Sequence, residues 1–348
     1  MLKFGIFDHL DSDGRPLGAL LASRLRLLEL IEREGYDGYH LAEHHSTPLG
    51  MASSPSVFLA AAIARTQRIR LGPLVYVLPL YHPLRLYEEI CMLDHLSHGR
   101  MEIGIGRGVS PFELNYNHVD HEDSRNIFFD AYACLRQALG NDPFSYSGKY
   151  VNYENVPMPL RPLQLPTPAF WYGSSNTIGA TWAGEQGMQF VANGPTEMAK
   201  ENLAAFRVAL AGRDGPEHPK AEFPGGLAQG LLRHIVVADT DAAAQAIARP
   251  AYEHHLASLN WLRNLNGSTE FTSRLGAHRG QTYEVCAAGG MVIAGNPDTV
   301  VRAITQQVGE LGINYLLTYL FFGDMSLTAA QRSLALFRTE VMPRIAHL

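Results

Sequence analysis

Arg100-Met-Glu-Ile-Gly-Ile-Gly-Arg-Gly108 is the stretch on which the fold turns. Met101, Ile103 and Ile105 alternate with Glu102, Gly104 and Gly106, which is the period-two pattern of a strand. The glycines leave room for another group to lie close to the backbone. The strand then runs into Arg107-Gly108 and a loop. An arginine at the C-terminal end of a strand suits phosphate, because its planar fork binds two oxygens at once. By itself the stretch fits equally an ordinary buried strand ending in a solvated arginine, so its meaning depends on its surroundings.

On the N-terminal side three strand-helix pairs precede it. Leu2 to Phe7 reads as a strand, and Leu21, Leu25, Leu28 and Ile31 then recur at helical spacing until Gly35. Tyr36 to Ala42 is a second strand ending in Glu43-His44-His45, followed by a helix that Ser54 caps and Pro55 opens. Ile69 to Leu78 is a third, continuously apolar as a strand buried on both faces should be. A helix from Pro83 to His98-Gly99 leads into the Arg100–Gly108 strand.

Beyond it, Ser124 to Leu139 reads as a helix, Tyr146 to Val156 as a small hairpin and Pro157 to Pro168 as a proline-rich linker. Further strands are expected at Ala169–Tyr172, Gln189–Ala192, Leu231–Ala238 and Asn314–Leu320, while residues 250–290 break the rhythm. Eight strands with intervening helices match a closed (β/α)8 barrel in one domain, 1–348, with insertions after strands four and seven. An open doubly wound sheet is the alternative. The barrel is favoured because the count reaches eight and no Gly-rich dinucleotide fingerprint follows the first strand.

The bulk properties exclude several classes. The chain of 348 residues is 46% hydrophobic with a net charge of -6 and no basic run, so nucleic acid and anionic membrane surfaces are not expected partners. No apolar run is long enough to cross a membrane. Cys91, Cys134 and Cys286 show neither metal spacing nor a disulfide framework, which points to a reducing cytoplasm.

In a barrel the chemistry sits at the C-terminal ends of the strands. Glu43-His44-His45 admits metal binding, acid/base work by one histidine oriented by the neighbouring glutamate, or a purely structural pair. Metal is disfavoured because adjacent strand residues point to opposite faces. Arg107, Arg125, Ser174 and Ser175 form a candidate phosphate cradle. The two serines precede a helix whose amides carry the positive end of its dipole. Arg125 opposes the dipole of its own helix, so it has either a ligand or a surface ion pair with Asp120, Glu122 or Asp123.

Taken together, Ala42-Glu43-His44-His45, Arg70-Leu71-Gly72, Leu78-Pro79, His82-Pro83, Asp94 to Arg100, Gly104 to Gly108, Asn296-Pro297 and Val341-Met342-Pro343 resemble the bacterial-luciferase-like flavin monooxygenases. The resemblance implies a (β/α)8 barrel that binds reduced FMN, or a deazaflavin, at its C-terminal mouth. It implies a separate flavin reductase, O2 and a small organic substrate. Arg107, Arg125, Ser174 and Ser175 match flavin-phosphate positions, and His44 matches an acid/base histidine. The Leu74-Val75 bond matches a non-proline cis peptide beside the flavin ring, and residues 262–290 match a mobile flap. Members dimerise through the helices after strands two and three. Light-emitting members carry a cysteine where this chain has Gly106, which argues against light emission and is expected to leave space for a bulkier substrate. Deazaflavin-dependent hydride transfer and a non-catalytic flavin-binding subunit are the other readings that the family offers. An apolar or aromatic substrate is expected from Tyr76, Tyr81, Phe112, Tyr172 and Met291.

Overall fold

Apolar runs become strands here where both faces can be buried. The computed structural model describes residues 1–214, 223, 226–267 and 282–348. Its strands are β1 (Lys3–Asp8), β2 (Gly38–Leu41), β3 (Arg70–Pro73), β4 (Tyr76–Val77), β5 (Ile103–Gly106), β6 (Phe144–Ser147), β7 (Asn152–Val156), β8 (Phe170–Ser174), β9 (Gln189–Ala192), β10 (Gln229–Val237), β11 (Val292–Gly295) and β12 (Tyr315–Tyr319). Nine of them follow one parallel path, β3-β2-β1-β12-β10-β9-β8-β5-β4, and β11 adds to β10. A bridge between Leu71 and Met101 brings β3 against β5. There the Glu102 N–H donates to the Leu71 carbonyl at 2.8 Å. The ends of the path thus meet in a nearly closed barrel wrapped by helices, as the strand count predicts.

The glycines of the opening stretch have a definite neighbour. A Cβ added to Gly104 would lie 2.0 Å from the Pro73 carbonyl oxygen and 3.0 Å from the Leu74 Cα. One added to Gly72 would lie 2.5 Å from the Glu102 carbonyl oxygen. What lies against the β5 backbone is therefore the chain itself, where β3 passes into β4. At the other end of the stretch Arg100 is structural. Its guanidinium donates to the Ser97, Thr66 and Ile69 carbonyls at 2.8–3.0 Å and so holds the start of β3 to the preceding helix.

Three parts differ from the sequence reading, the first being β11, a strand that it leaves unmarked. The third apolar run is two strands, β3 and β4, separated by a cis Leu74-Val75 bond. Residues 241–265 form one helix, Asp241–Leu265, despite Pro250 within it. Its N-terminal amides are capped by Thr240, whose hydroxyl accepts from the Ala243 N–H at 3.1 Å. That helix takes up the first part of the segment that broke the rhythm. Of the flap expected at 262–290, residues 268–281 lie outside the described residues, and Tyr283–Ala288 is a short helix. No helix among the described residues is long and apolar enough to cross a membrane.

Candidate active site

The C-terminal strand ends surround a cavity of about 330 Å³. Its wall draws on His9 after β1, Glu43 and His44 after β2, Leu74 and Val75 between β3 and β4, Gly106 and Arg107 at β5, Ser174 and Ser175 at β8, and His234 on β10. The geometry thus brings together Glu43, His44, Leu74, Val75, Gly106, Arg107, Ser174 and Ser175, with Arg125 near Arg107.

The phosphate corner is built from like charges. Arg107 is half-buried, and burial, with Arg125 nearby, pushes its guanidinium below the ordinary arginine value. Neither arginine has a hydrogen-bond or carboxylate partner among the described residues. Asp123, a candidate partner for Arg125, instead accepts from Tyr150 at 2.9 Å and pairs with Lys149. Two like charges near each other, Arg107 half-buried and Arg125 exposed, suit an anion. Beside them Ser174 Oγ accepts from the Asn176 N–H at 3.1 Å, and Asn176 caps the helix Thr177–Gln186 through the Gly179 N–H at 2.9 Å. The remaining orphan amides of that helix end are an anion site of the usual kind. The corner fits a flavin phosphate.

The cis Leu74-Val75 bond that the family resemblance implies is present. The space expected beside Gly106 is not open. A Cβ there would lie 2.5 Å from Val75 Cγ2, so the Val75 side chain fills it. Gly106 accommodates the valine rather than a larger substrate.

His44 is oriented, though not by the neighbour that the sequence implies. Its Nδ1 lies 3.2 Å from Glu113 Oε1, and Glu113 Oε2 accepts from the His45 N–H at 2.8 Å. Burial alone would raise the Glu113 pKa. The contacts with His44 and His45 outweigh it and hold the carboxyl below its ordinary value. Glu43 is taken up elsewhere. It accepts from the Val77 N–H at 2.9 Å and from Tyr81 Oη at 3.0 Å, and it meets His45 Nε2 at 2.7 Å. Glu43 thus positions the strand end, and its bond to His45 raises that imidazole's pKa. Because Nδ1 of His44 is engaged, Nε2 is left to exchange a proton with a ligand. Ser110-Pro111-Phe112-Glu113 has the spacing of a capping box, which signals only a helix start. Ser110 does cap the Glu113 N–H at 3.3 Å, while the carboxylate turns away to His44.

The cavity lining differs from the expected set. Tyr172 and Met291 line it. Tyr76 is instead bonded to Ser56 at 2.9 Å, Tyr81 to Glu43, and Phe112 lines a small adjoining cavity. The cavity gains Phe7, Val191, Leu232, Tyr252 and three histidines, His9, His234 and His255.

Known proteins resemble this chain over most of its length. The y4wF protein of Sinorhizobium fredii is 38% identical over 344 residues, 99% of this chain and 97% of that one. Limonene 1,2-monooxygenase of Rhodococcus erythropolis is 27% identical over 92% of this chain and 80% of its own. The oxygenase component of trigonelline monooxygenase from Acinetobacter baylyi is 25% identical over 71% and 68%. Among solved structures, the monooxygenase RslO1 of Streptomyces bottropensis superposes with a TM-score of 0.84 at 24% identity, covering 98% of this chain and 99% of that one. The oxygenating constituent of 3,6-diketocamphane monooxygenase of Pseudomonas putida, in complex with FMN, does so at 0.78 and 20%, covering 99% and 98%. An F420-dependent secondary alcohol dehydrogenase does so at 0.71 and 16%, covering 99% of each chain. The sequence profile of luciferase-like monooxygenases matches residues 2–315, and the chain belongs to that family of enzymes.

Proposed function

We propose that this protein is the oxygenase of a two-component monooxygenase, which takes reduced FMN from a separate reductase and uses O2 to oxidise a small organic substrate. The observation that carries the reading is Arg107 and Arg125, without an acidic partner among the described residues, beside the Ser174-Ser175 turn. The FMN-bound diketocamphane enzyme supports the cofactor, and the relative named as an oxygenase component supports the division of labour with a reductase.

Reduced flavin supplies the electrons that activate oxygen. Arg107, Arg125, Ser174, Ser175 and the amides that begin Thr177–Gln186 hold its phosphate. Leu74, Val75 and Gly106 wall its ring. His44, held by Glu113, moves a proton at Nε2, and Glu43 fixes the adjacent strand end. Phe7, Val191 and Leu232 exclude water from the reacting centre. A cytoplasmic homodimer completes the proposal. The helices Pro55–Ile63 and Pro83–Leu96 turn Val57, Met92 and Leu96 outward, apolar surface of the kind that a partner helix covers.

Anaerobic titration tests the reading. Reduced FMN is expected to bind tightly and to yield substrate oxidation on admission of O2. Absence of tight binding refutes it. Tighter binding of a reduced deazaflavin would favour the hydride-transfer reading, which the F420-dependent neighbour supports.

A further inference from the structure

The barrel mouth is chemically divided. The ends of β5 and β8 carry Arg107, Ser174 and Ser175. The adjacent strands β1, β12 and β10 bring up His9, Tyr319 and His234 on the other side, with His255 packed on them from the helix Asp241–Leu265. The His255 ring centre lies 5.2 Å from that of His9 and 5.1 Å from that of His234. Tyr319 lies 5.4 Å and 4.8 Å from the same two rings. Asp11 anchors the group, meeting His255 Nδ1 at 3.1 Å and accepting from the Tyr319 hydroxyl and, at 3.1 Å, from the Gly323 N–H.

Two polar atoms are left over. His9 Nδ1 and His234 Nε2 are buried with no hydrogen-bond partner among the described residues, although both side chains line the cavity. His234 is only 8% exposed. Buried polar atoms are paired as a rule, and two orphans on side chains that line one wall leave unused hydrogen-bonding capacity beside the cavity. His9 also stacks on His44, with ring centres 5.3 Å apart, so this wall adjoins the group assigned to proton transfer.

We propose that His9, His234 and His255 form the substrate's polar subsite, and that the substrate is an otherwise apolar molecule bearing an uncharged oxygen, a hydroxyl or a carbonyl. The proposal rests on the flavin-oxygenase reading, because that reading places the cofactor on the arginine side and leaves the imidazole side to the substrate. A neutral imidazole offers one donor and one acceptor, which suits a hydroxyl or carbonyl. Burial, reinforced by the neighbouring imidazoles, holds His9 and His234 well below the ordinary histidine value, so neither brings a cation to a carboxylate. The Asp11 carboxylate behind them repels an anion. A hydrocarbon would leave both nitrogens unpaired. Phe7, Val191, Leu232 and Met291 supply the surface for the apolar body. The described residues include no group of three His, Cys, Asp or Glu arranged to hold a metal, so the wall is not a metal site by geometry.

Three ligands that share one ring system test this: 2-naphthol, 2-methylnaphthalene and 2-naphthoate, with binding read by fluorescence anisotropy. The wild type is expected to prefer 2-naphthol to both others. His234→Phe, of similar volume, should lower the ratio of naphthol to methylnaphthalene affinity at least tenfold, and His234→Gln should recover part of it. Preference for methylnaphthalene or naphthoate in the wild type overturns the proposal. So does failure of naphthol to bind up to its solubility limit, or an unchanged ratio in His234→Phe. Should that variant not fold, His9→Phe and the wild-type ranking decide. Reduced FMN titrated into the wild type keeps the two readings apart. Loss of flavin binding with the naphthol ranking intact refutes the flavin reading, and the converse refutes the subsite alone.

Discussion

Acidification from pH 7.5 to 5.5 should destabilise this protein through three imidazoles, His40 and His234 buried and His9 half-buried. Burial lowers the pKa of His9, His234 and His40, and that of His40 falls to about 3. His40 sits inside the barrel with Nε2 3.0 Å from Tyr315 Oη, Nδ1 unpaired among the described residues, and its ring 4.6 Å from that of Trp171. In the unfolded chain each histidine takes up a proton near pH 6.5, whereas in the folded chain it stays neutral. Proton uptake therefore favours unfolding as pH falls below about 6.5, and the loss continues until the folded pKa is reached. At pH 5.5, one unit below the unfolded pKa, each group costs about 1.4 kcal/mol, and three groups cost about 4 kcal/mol. His45 acts in the opposite sense. Its bond to Glu43 raises its folded pKa, so the folded chain binds that proton first and offsets part of the loss. Set against a stability of ~5–15 kcal/mol typical of folded domains, the net loss is large. Urea unfolding at the two pH values measures it, and proton uptake on unfolding at pH 5.5 counts the groups. Equal or greater stability at pH 5.5, or uptake of less than one proton, would refute the reasoning.

Three further outcomes are expected. Arg107→Ala and Arg125→Ala should each weaken reduced-FMN binding about 10- to 100-fold, as loss of a charge-assisted hydrogen bond does, while riboflavin affinity changes little; equal losses for both ligands in a titration would remove the phosphate role. Glu113→Gln should lower turnover roughly a hundredfold and shift the pH–rate profile while leaving flavin affinity within a few-fold, because the residue acts through His44; an unchanged profile would leave His44 without its orienting partner. Gly106→Ala should cost about 1–3 kcal/mol in denaturant unfolding, because its Cβ meets Val75, and Val75→Ala in the same chain should restore most of it; additive losses would show that the two do not touch.

Much of the barrel was legible because its signals are local. Alternating and continuous apolar runs marked eight barrel strands, taking β3 and β4 as one and leaving β11 unmarked, and their short connections marked a parallel sheet. The helix Asp241–Leu265 was hidden by Pro250, a residue that reads as a helix break, yet it holds through 25 residues with Ala248, Ala251, Tyr252 and His255 buried on one side. Glu113 was hidden for a different reason. It reads as part of a helix start, and its partner His44 stands 69 positions away.

By itself the sequence determined the order of eight strands and most of the helices between them, the placing of Arg107 at a strand end and of Ser174-Ser175 before a helix, and the motifs that tie the chain to the luciferase-like family. Each of these follows from the face that an element must bury or from the backbone geometry of a turn, and both are written in neighbouring residues. Only the tertiary structure decided which side chains meet across the mouth. It gave His44 to Glu113 and Glu43 to His45, filled the space beside Gly106 with Val75, set Arg125 near Arg107, and gathered His9, His234, His255 and Tyr319 around Asp11. Those contacts depend on barrel closure and on the register between strands far apart in the chain, for which hydrophobic periodicity carries no signal.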